Sequence, residues 1–293
     1  METKDNTCAS LFGFTKFIYN KDINIEERLN INSIYEWVKE IFINVRYDHS
    51  NLLLDLHNTD HVMDKNYIYS HTMRTTIITI IIGKYLKIPT HKLIEMGAAA
   101  LLHDIGMLSI PQELYLSSRP LTRSEKKIIN MHTVYGYKLL DSYGFSKPIK
   151  LAVLEHHERE DGTGYPLKLK KEKISLYGKI IGLACSYEAI SADRIYKESV
   201  DLHAGIIEIL KNKGKFYDVA IQALVNSLSI YPIGMYVLLS DDTKGMVVDA
   251  NSYDPRYPIV QLLDEKTFDG KNIVRHTFSD GLHIVRPLKN EEV

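Results

Sequence analysis

The stretch GAAALLHDIGMLSI, Gly97 to Ile110, sets the reading of the whole chain. Small and apolar residues from Gly97 to Leu102 predict a packed helix, which runs into His103 and Asp104, a base and an acid at the end of an otherwise apolar run. Neighbouring side chains on a helix diverge by about 100°, so the pair can reach two points of one cavity. That suits metal ligation, because imidazole nitrogen takes first-row transition metals and a carboxylate can give one oxygen to each of two ions. The competing reading is a hydrogen-bonded His-Asp pair at the helix C-terminus, where a protonated imidazole complements the dipole. These two residues alone leave both readings open.

Upstream, the pattern from Asp64 predicts a long helix ending near Lys87, ahead of Pro89, with His71 at its polar beginning and Ile77 to Ile82 buried beyond it. Taken alone, His71 reads as a core or surface histidine. Thr90 is the expected N-cap of the helix that leads to His103. Downstream, Thr122 and Glu125 form a capping-box pattern that predicts a helix from about Arg123 to Ser142. His132 is its polar exception, and Gly136 leaves the next turn bare, either as room for a metal cluster or as a close helix contact. Ile149 to His157 predicts a short helix ending in His156 and His157. A turn-rich loop follows, Glu158 to Pro166, in which Gly162 and Gly164 permit close backbone approach and Pro166 holds Tyr165.

Taken in order, His71, His103-Asp104, His132, His156-His157 and DGTGYP (Asp161 to Pro166) resemble the HD-GYP phosphodiesterases, a branch of the HD metal-dependent phosphohydrolases. The resemblance covers about residues 64 to 229. It implies a mainly α fold, an HD-type helical bundle holding divalent metal ions, often iron or manganese, and hydrolysis of cyclic di-GMP to pGpG or on to GMP. By position it implies that His71, His103 and Asp104 hold one ion and that His132, His156 and His157 hold the second. Asp104 would bridge the two and be the central catalytic residue. A hydroxide between two cations needs no side-chain nucleophile. The stretch Lys179 to Lys197 is similar to the family's last motif, so Arg194 and Lys197 match positions that contact substrate phosphate or guanine, and Tyr165 with Gly164 matches the loop that touches the ligand. On composition alone Arg194 and Lys197 would be plain surface charges.

Three departures from the family pattern bear on activity. Cys185 stands where the family has an aspartate ligand, with Glu188 as the motif's second acid, so Cys185 is either a thiolate ligand or outside the metal shell. Met107 replaces a lysine three residues after the aspartate, and Tyr67 replaces a glutamate that supplies a third-metal ligand in some members, which argues for two ions. An active phosphodiesterase is the leading expectation. The alternatives are a degenerate module that binds cyclic di-GMP or a partner protein without turnover, and a hydrolase of another cyclic nucleotide.

The remaining sequence sets the frame. The formal net charge of -1 implies no nucleic-acid polymer as partner. The longest strongly apolar run, Thr75 to Gly83, is far short of the roughly 20 residues that span a bilayer. Cys8 and Cys185 are the only cysteines, too few for a disulfide framework. The expectation is a cytoplasmic protein without membrane insertion. Residues 1 to 63 read as a helical leader, with an amphipathic helix from Ile34 to Val45, and are too short and polar for a typical sensor, which leaves regulation to the leader or to a partner protein. His57 and His61 in it, and His276 and His283 near the end, read as non-binding surface residues. From Ile230 to the end, β-type residues and the turn Asp241 to Gly245 predict a small antiparallel sheet packed on the helical domain.

Overall fold

The computed structural model describes residues 6–47, 67–117, 119–191, 202–228, 231, 233–249, 251, 254, 256–288 and 292–293. The expected domain boundaries at 63/64 and 229/230 lie outside the described residues, as do His57, His61, Arg194 and Lys197. Among the described residues no helix is long and apolar enough to cross a membrane.

The axis of the bundle is helix α3, Tyr67–Tyr85, which is buried without interruption from Ser70 to Gly83. A helix buried all round must be enclosed by neighbours on every side. It is enclosed by α1 (Asn6–Tyr19), α2 (Ile31–Tyr47), α4 (Thr90–Leu101), α8 (Leu176–Ser191) and α10 (Asp218–Leu228). Ile77, Ile80 and Ile82 are fully buried, and removing such a side chain from water contributes roughly 1.5–3 kcal/mol each. The amphipathic stripe of the leader, Ile34, Val38, Ile41 and Val45, enters the same core, and Trp37 stacks on Phe14 with ring centroids 4.3 Å apart. The leader helices thus help to enclose the axis.

Local geometry departs from expectation in three places. Thr90 is the first residue of α4, and Pro89 holds the N-cap position without a side-chain bond. The proline's extended ψ of 138° stops the helix from starting earlier, while its carbonyl accepts from Leu93 N at 2.9 Å. Helix α4 stops at Leu101, so His103 and Asp104 sit in a turn that tightens into the 3-10 helix Ile105–Ser109. Thirdly, the stretch expected to be one helix from Arg123 to Ser142 is two: α5 (Arg123–Asn130) and α6 (His132–Ser142). At the break, Met131 N donates to Ile128 O, three residues back, at 3.1 Å. The capping box at Thr122 and Glu125 is present in both halves.

Two further helices, α7 (Lys147–Glu155) and α9 (Leu202–Lys211), complete the bundle. The C-terminal strands β1 (Tyr236–Leu239), β2 (Lys244–Asp249), β3 (Ile259–Lys266), β4 (Asn272–His276) and β5 (Ile284–Pro287) form one antiparallel sheet in the order β4-β3-β2-β1-β5. Burial alternates along β1 and through the first part of β3, as a one-faced sheet requires. Its buried residues, Val237, Leu239, Val247, Val260 and Leu262 among them, form a cluster distinct from that of the helices.

Candidate metal centre

Each histidine of the centre comes from an end or a break in the bundle. His71 lies in the first turns of α3, His103 and Asp104 in the turn after α4, and His132 at the start of α6. His156 and His157 follow the last residue of α7. The chain can bring these points together because Gly106 lies against α6. A Cβ built on Gly106 would fall 1.9 Å from His132 O and 2.5 Å from Gly136 N. Gly136 is the other side of that contact, with its own added Cβ 2.8 Å from Val153 Cγ1. Of the two readings of Gly136, the structure supports close helix packing.

Three of the rings are fixed in the same way. His103 Nδ1 is 2.7 Å from Ala100 O, His132 Nδ1 is 2.7 Å from Ile129 O, and His156 Nδ1 is 2.8 Å from Val153 O. A carbonyl only accepts, so each Nδ1 carries the proton, and in the neutral ring Nε2 is a bare lone pair. For His71 the same task falls to Glu188, whose carboxylate Oε2 contacts Nδ1 and whose Oε1 is 3.6 Å from Arg74 Nη1. All four Nε2 atoms then face one carboxylate. Asp104 Oδ2 is 3.7 Å from His71 Nε2 and 3.4 Å from His103 Nε2, while Oδ1 is 3.2 Å from His132 Nε2 and 3.6 Å from His156 Nε2. Within each pair the two Nε2 atoms are 3.3 Å apart. The bare Nε2 atoms of His103, His132 and His156 and the Asp104 carboxylate are acceptors facing acceptors, unfavourable in a buried space unless a cation lies between them. That cation is a metal ion or, on the His71 side, the proton that this ring holds when no metal is bound. The donor set therefore fits divalent metal binding at Asp104.

The four ligand atoms of Asp104, His132, His156 and His157 lie within 4.8 Å of one another, as do those of His71, His103 and Cys185. The structure thus gathers His71, His103, Asp104, His132, His156, His157 and Cys185. Tyr165 stacks on His157 with centroids 4.7 Å apart. Gly164 is buried, and an added Cβ would lie 2.5 Å from His157 O, Glu158 Cα and Arg159 N, so this glycine lets the loop close on the helix end and carries Tyr165 into place.

Several supporting residues escaped the sequence reading. Buried Glu158 accepts from Leu167 N at 2.6 Å and Leu169 N at 2.9 Å, clamping the loop around Tyr165. Arg159 donates to His156 O at 3.2 Å, Glu158 O at 2.8 Å and Ser186 Oγ at 2.9 Å, and its guanidinium lies 5.0 Å from the Phe216 ring centre. It fastens the end of α7 to α8. Nothing in the local sequence signals these bonds apart from the polarity of a loop flanked by apolar helices.

Burial sets the protonation of the centre's side chains before any ion binds. It pushes His103 down to about 3, and it lowers His156 and His157 as well, with the neighbouring imidazoles adding to the effect. His71 moves the other way: burial opposes its charge, but Tyr67, Glu188 and Cys185 outweigh it, and the carboxylate touching the ring favours the imidazolium. Asp104 is held well below the usual carboxylate range by His103, His132 and His156 against the cost of burial.

These shifts fix the sign of the acid response. In the unfolded chain each histidine titrates near 6.5. Below that pH the unfolded chain takes up protons that folded His103, His156 and His157 refuse, so acid favours unfolding by up to ~1.4 kcal/mol per pH unit for each. His71 contributes stability that is fully present below 6.5 and is lost only as pH rises through its raised pKa. Asp104 contributes stability that is lost only below its unfolded value of about 4. The expected result is a denaturant midpoint that falls steeply between pH 6.5 and 5 in chelator-treated protein. A flat profile over that window would contradict the neutral, buried imidazoles.

The HD domain family matches residues 59–221 of the chain. Over 202 residues the chain is 34% identical to the cyclic di-GMP phosphodiesterase PdeB of Borreliella burgdorferi, covering 69% of this chain and 53% of that protein. Over 243 residues it is 30% identical to the cyclic di-GMP phosphodiesterase PA4108 of Pseudomonas aeruginosa, covering 83% and 58%. The chain thus spans little more than half the length of these relatives. Among solved structures, Bd1817, a HDG"Y"P protein from Bdellovibrio bacteriovorus, superposes with a TM-score of 0.57 at 19% identity, covering 76% of this chain and 73% of that one. That last likeness is one of fold.

Proposed function

Because this chain belongs to the HD domain family, we propose that it is a metal-dependent phosphodiesterase that hydrolyses cyclic di-GMP to pGpG, GMP or both. The observation that carries the reading is the division of Asp104: one oxygen faces the Nε2 atoms of His71 and His103, the other those of His132 and His156. His71, His103 and Asp104 would hold one divalent ion, iron or manganese, and Asp104, His132, His156 and His157 the other. Such ions, when bound, act as Lewis acids that activate water and neutralise charge on the phosphate under attack.

The chain's own residues supply position and protonation. Carbonyls 100, 129 and 153 keep the imidazoles in the tautomer that presents Nε2. Tyr165, backed by His157, presents an aromatic face beside the centre on which a guanine can stack. Arg194 and Lys197 are proposed to meet the substrate's phosphates or base, since a guanidinium suits bidentate contact with either.

The test is chromatography of products from cyclic di-GMP incubated with manganese- or iron-loaded protein, with other cyclic dinucleotides as competitors. Linear pGpG or GMP is expected, and preferential turnover of a competitor would reassign the substrate. Base–aromatic stacking is worth ~1–3 kcal/mol, so Tyr165→Ala should raise KM by about tenfold or more with metal content unchanged. An unaltered KM would remove Tyr165 from the substrate pocket.

A further inference from the structure

We infer that Cys185 is a thiolate ligand of the ion position formed by His71, His103 and Asp104, and that it makes the two positions of the centre chemically unequal. The inference rests on the dinuclear reading above. Cys185 Sγ is 3.5 Å from His71 Nε2, and the ligand atoms of His71, His103 and Cys185 lie within 4.8 Å of one another. Cys185 as a residue is 5% exposed, so its sulfur meets this cluster in a buried place.

Glu188 is the obvious rival for the role. It lies three residues further along α8, on the same side of the helix, but its carboxylate is turned to the far nitrogen of His71, Nδ1, and toward Arg74. It orients the ring, and the metal-facing side of that ring is left to Cys185.

Charge favours ionisation of the sulfur once an ion is present. Two divalent ions held by neutral imidazoles, the carboxylate of Asp104 and the Glu188 carboxylate behind His71 would leave a net charge of about +2 in a buried site, a costly arrangement. A coordinated thiol is deprotonated by its metal, which releases one proton and lowers that charge by one. A thiolate also changes selectivity. Soft sulfur favours zinc, cobalt and iron over manganese, which prefers oxygen. The position beside Cys185 should therefore discriminate against manganese, whereas the position lined by His132, His156 and His157 has no sulfur to impose that preference.

The test is anaerobic titration of the metal-free protein with Co(II), followed by absorption. Wild type and Cys8→Ser should develop a near-ultraviolet thiolate-to-cobalt charge-transfer band that saturates at one thiolate per chain. Cys185→Ser, nearly equal in volume, should lose the band and bind its more weakly held cobalt at least tenfold less tightly. Cys185→Asp should show no band, and its manganese affinity at this position should exceed that of wild type by at least tenfold. Two cobalt ions bound without a band, or a band that survives in Cys185→Ser, would overturn the role of Cys185 and leave the dinuclear reading intact. No cobalt bound by any variant would overturn the dinuclear reading itself.

Discussion

On the proposed reading of a dinuclear cyclic di-GMP phosphodiesterase, Asp104→Asn should reduce bound metal from two ions per chain to one or none and lower the hydrolysis on the order of a thousandfold. Among the described residues the Asp104 carboxylate alone has two oxygens that face both histidine pairs, with Oδ2 3.4 Å from His103 Nε2 and Oδ1 3.2 Å from His132 Nε2. Asparagine keeps the shape but replaces one oxygen with an NH2 that cannot ligate, and it removes the negative charge that two cations need between them. Lewis-acid stabilisation is worth several kcal/mol, and each ~1.4 kcal/mol is a factor of ten in rate. Metal analysis and product chromatography on the same sample read both effects. A variant that kept two ions and most of its rate would show that Asp104 does not bridge.

Gly106→Ala should destabilise the protein by at least about 3 kcal/mol, placing it with severe core overpacking. The new methyl would lie 1.9 Å from His132 O and 2.5 Å from Gly136 N, backbone atoms that cannot swing aside like a side-chain tip. Relief requires the 3-10 turn to move off α6, which draws His103 and Asp104 away from His132. Metal content should therefore fall together with the denaturant midpoint. Gly214→Ala is the control, because nothing lies within 4 Å of its added Cβ, and it should change stability by no more than about 0.5 kcal/mol. Equal stability of the two variants would mean that the close crossing at Gly106 is not rigid.

What could be read from the chain was whatever local pattern imposes. The pattern after Asp64 calls for a long helix with Ile77 to Ile82 buried, as α3 has, the Thr122–Glu125 pair forms the capping box, and Asp241 accepts from Thr243 N in the β1–β2 turn at 3.1 Å, as a hairpin there requires. The histidines and Asp104 were legible because five imidazoles in otherwise apolar or packed segments have few other uses, and together they match one family pattern.

What could not be read depends on distant neighbours. The partner of His71 is Glu188, 117 residues away, and the fastening of α7 to α8 depends on a bond from Arg159 to Ser186. The break at Met131 was equally hidden, since neither glycine nor proline marks it. It places His132 at the start of α6, with its Nδ1 bonded to Ile129 O. The sheet order is of the same kind: β5 returns to pair with β1 across most of the sheet's sequence, a contact that alternation within a strand does not specify.

The most direct test of the proposed dinuclear centre is anomalous diffraction from crystals of the protein grown with cobalt or iron, collected on both sides of the metal's absorption edge. Two anomalous peaks are expected, one between Asp104 and the His71–His103 pair, the other between Asp104 and the His132–His156 pair. A single peak, or peaks away from the Asp104 carboxylate, would contradict the account.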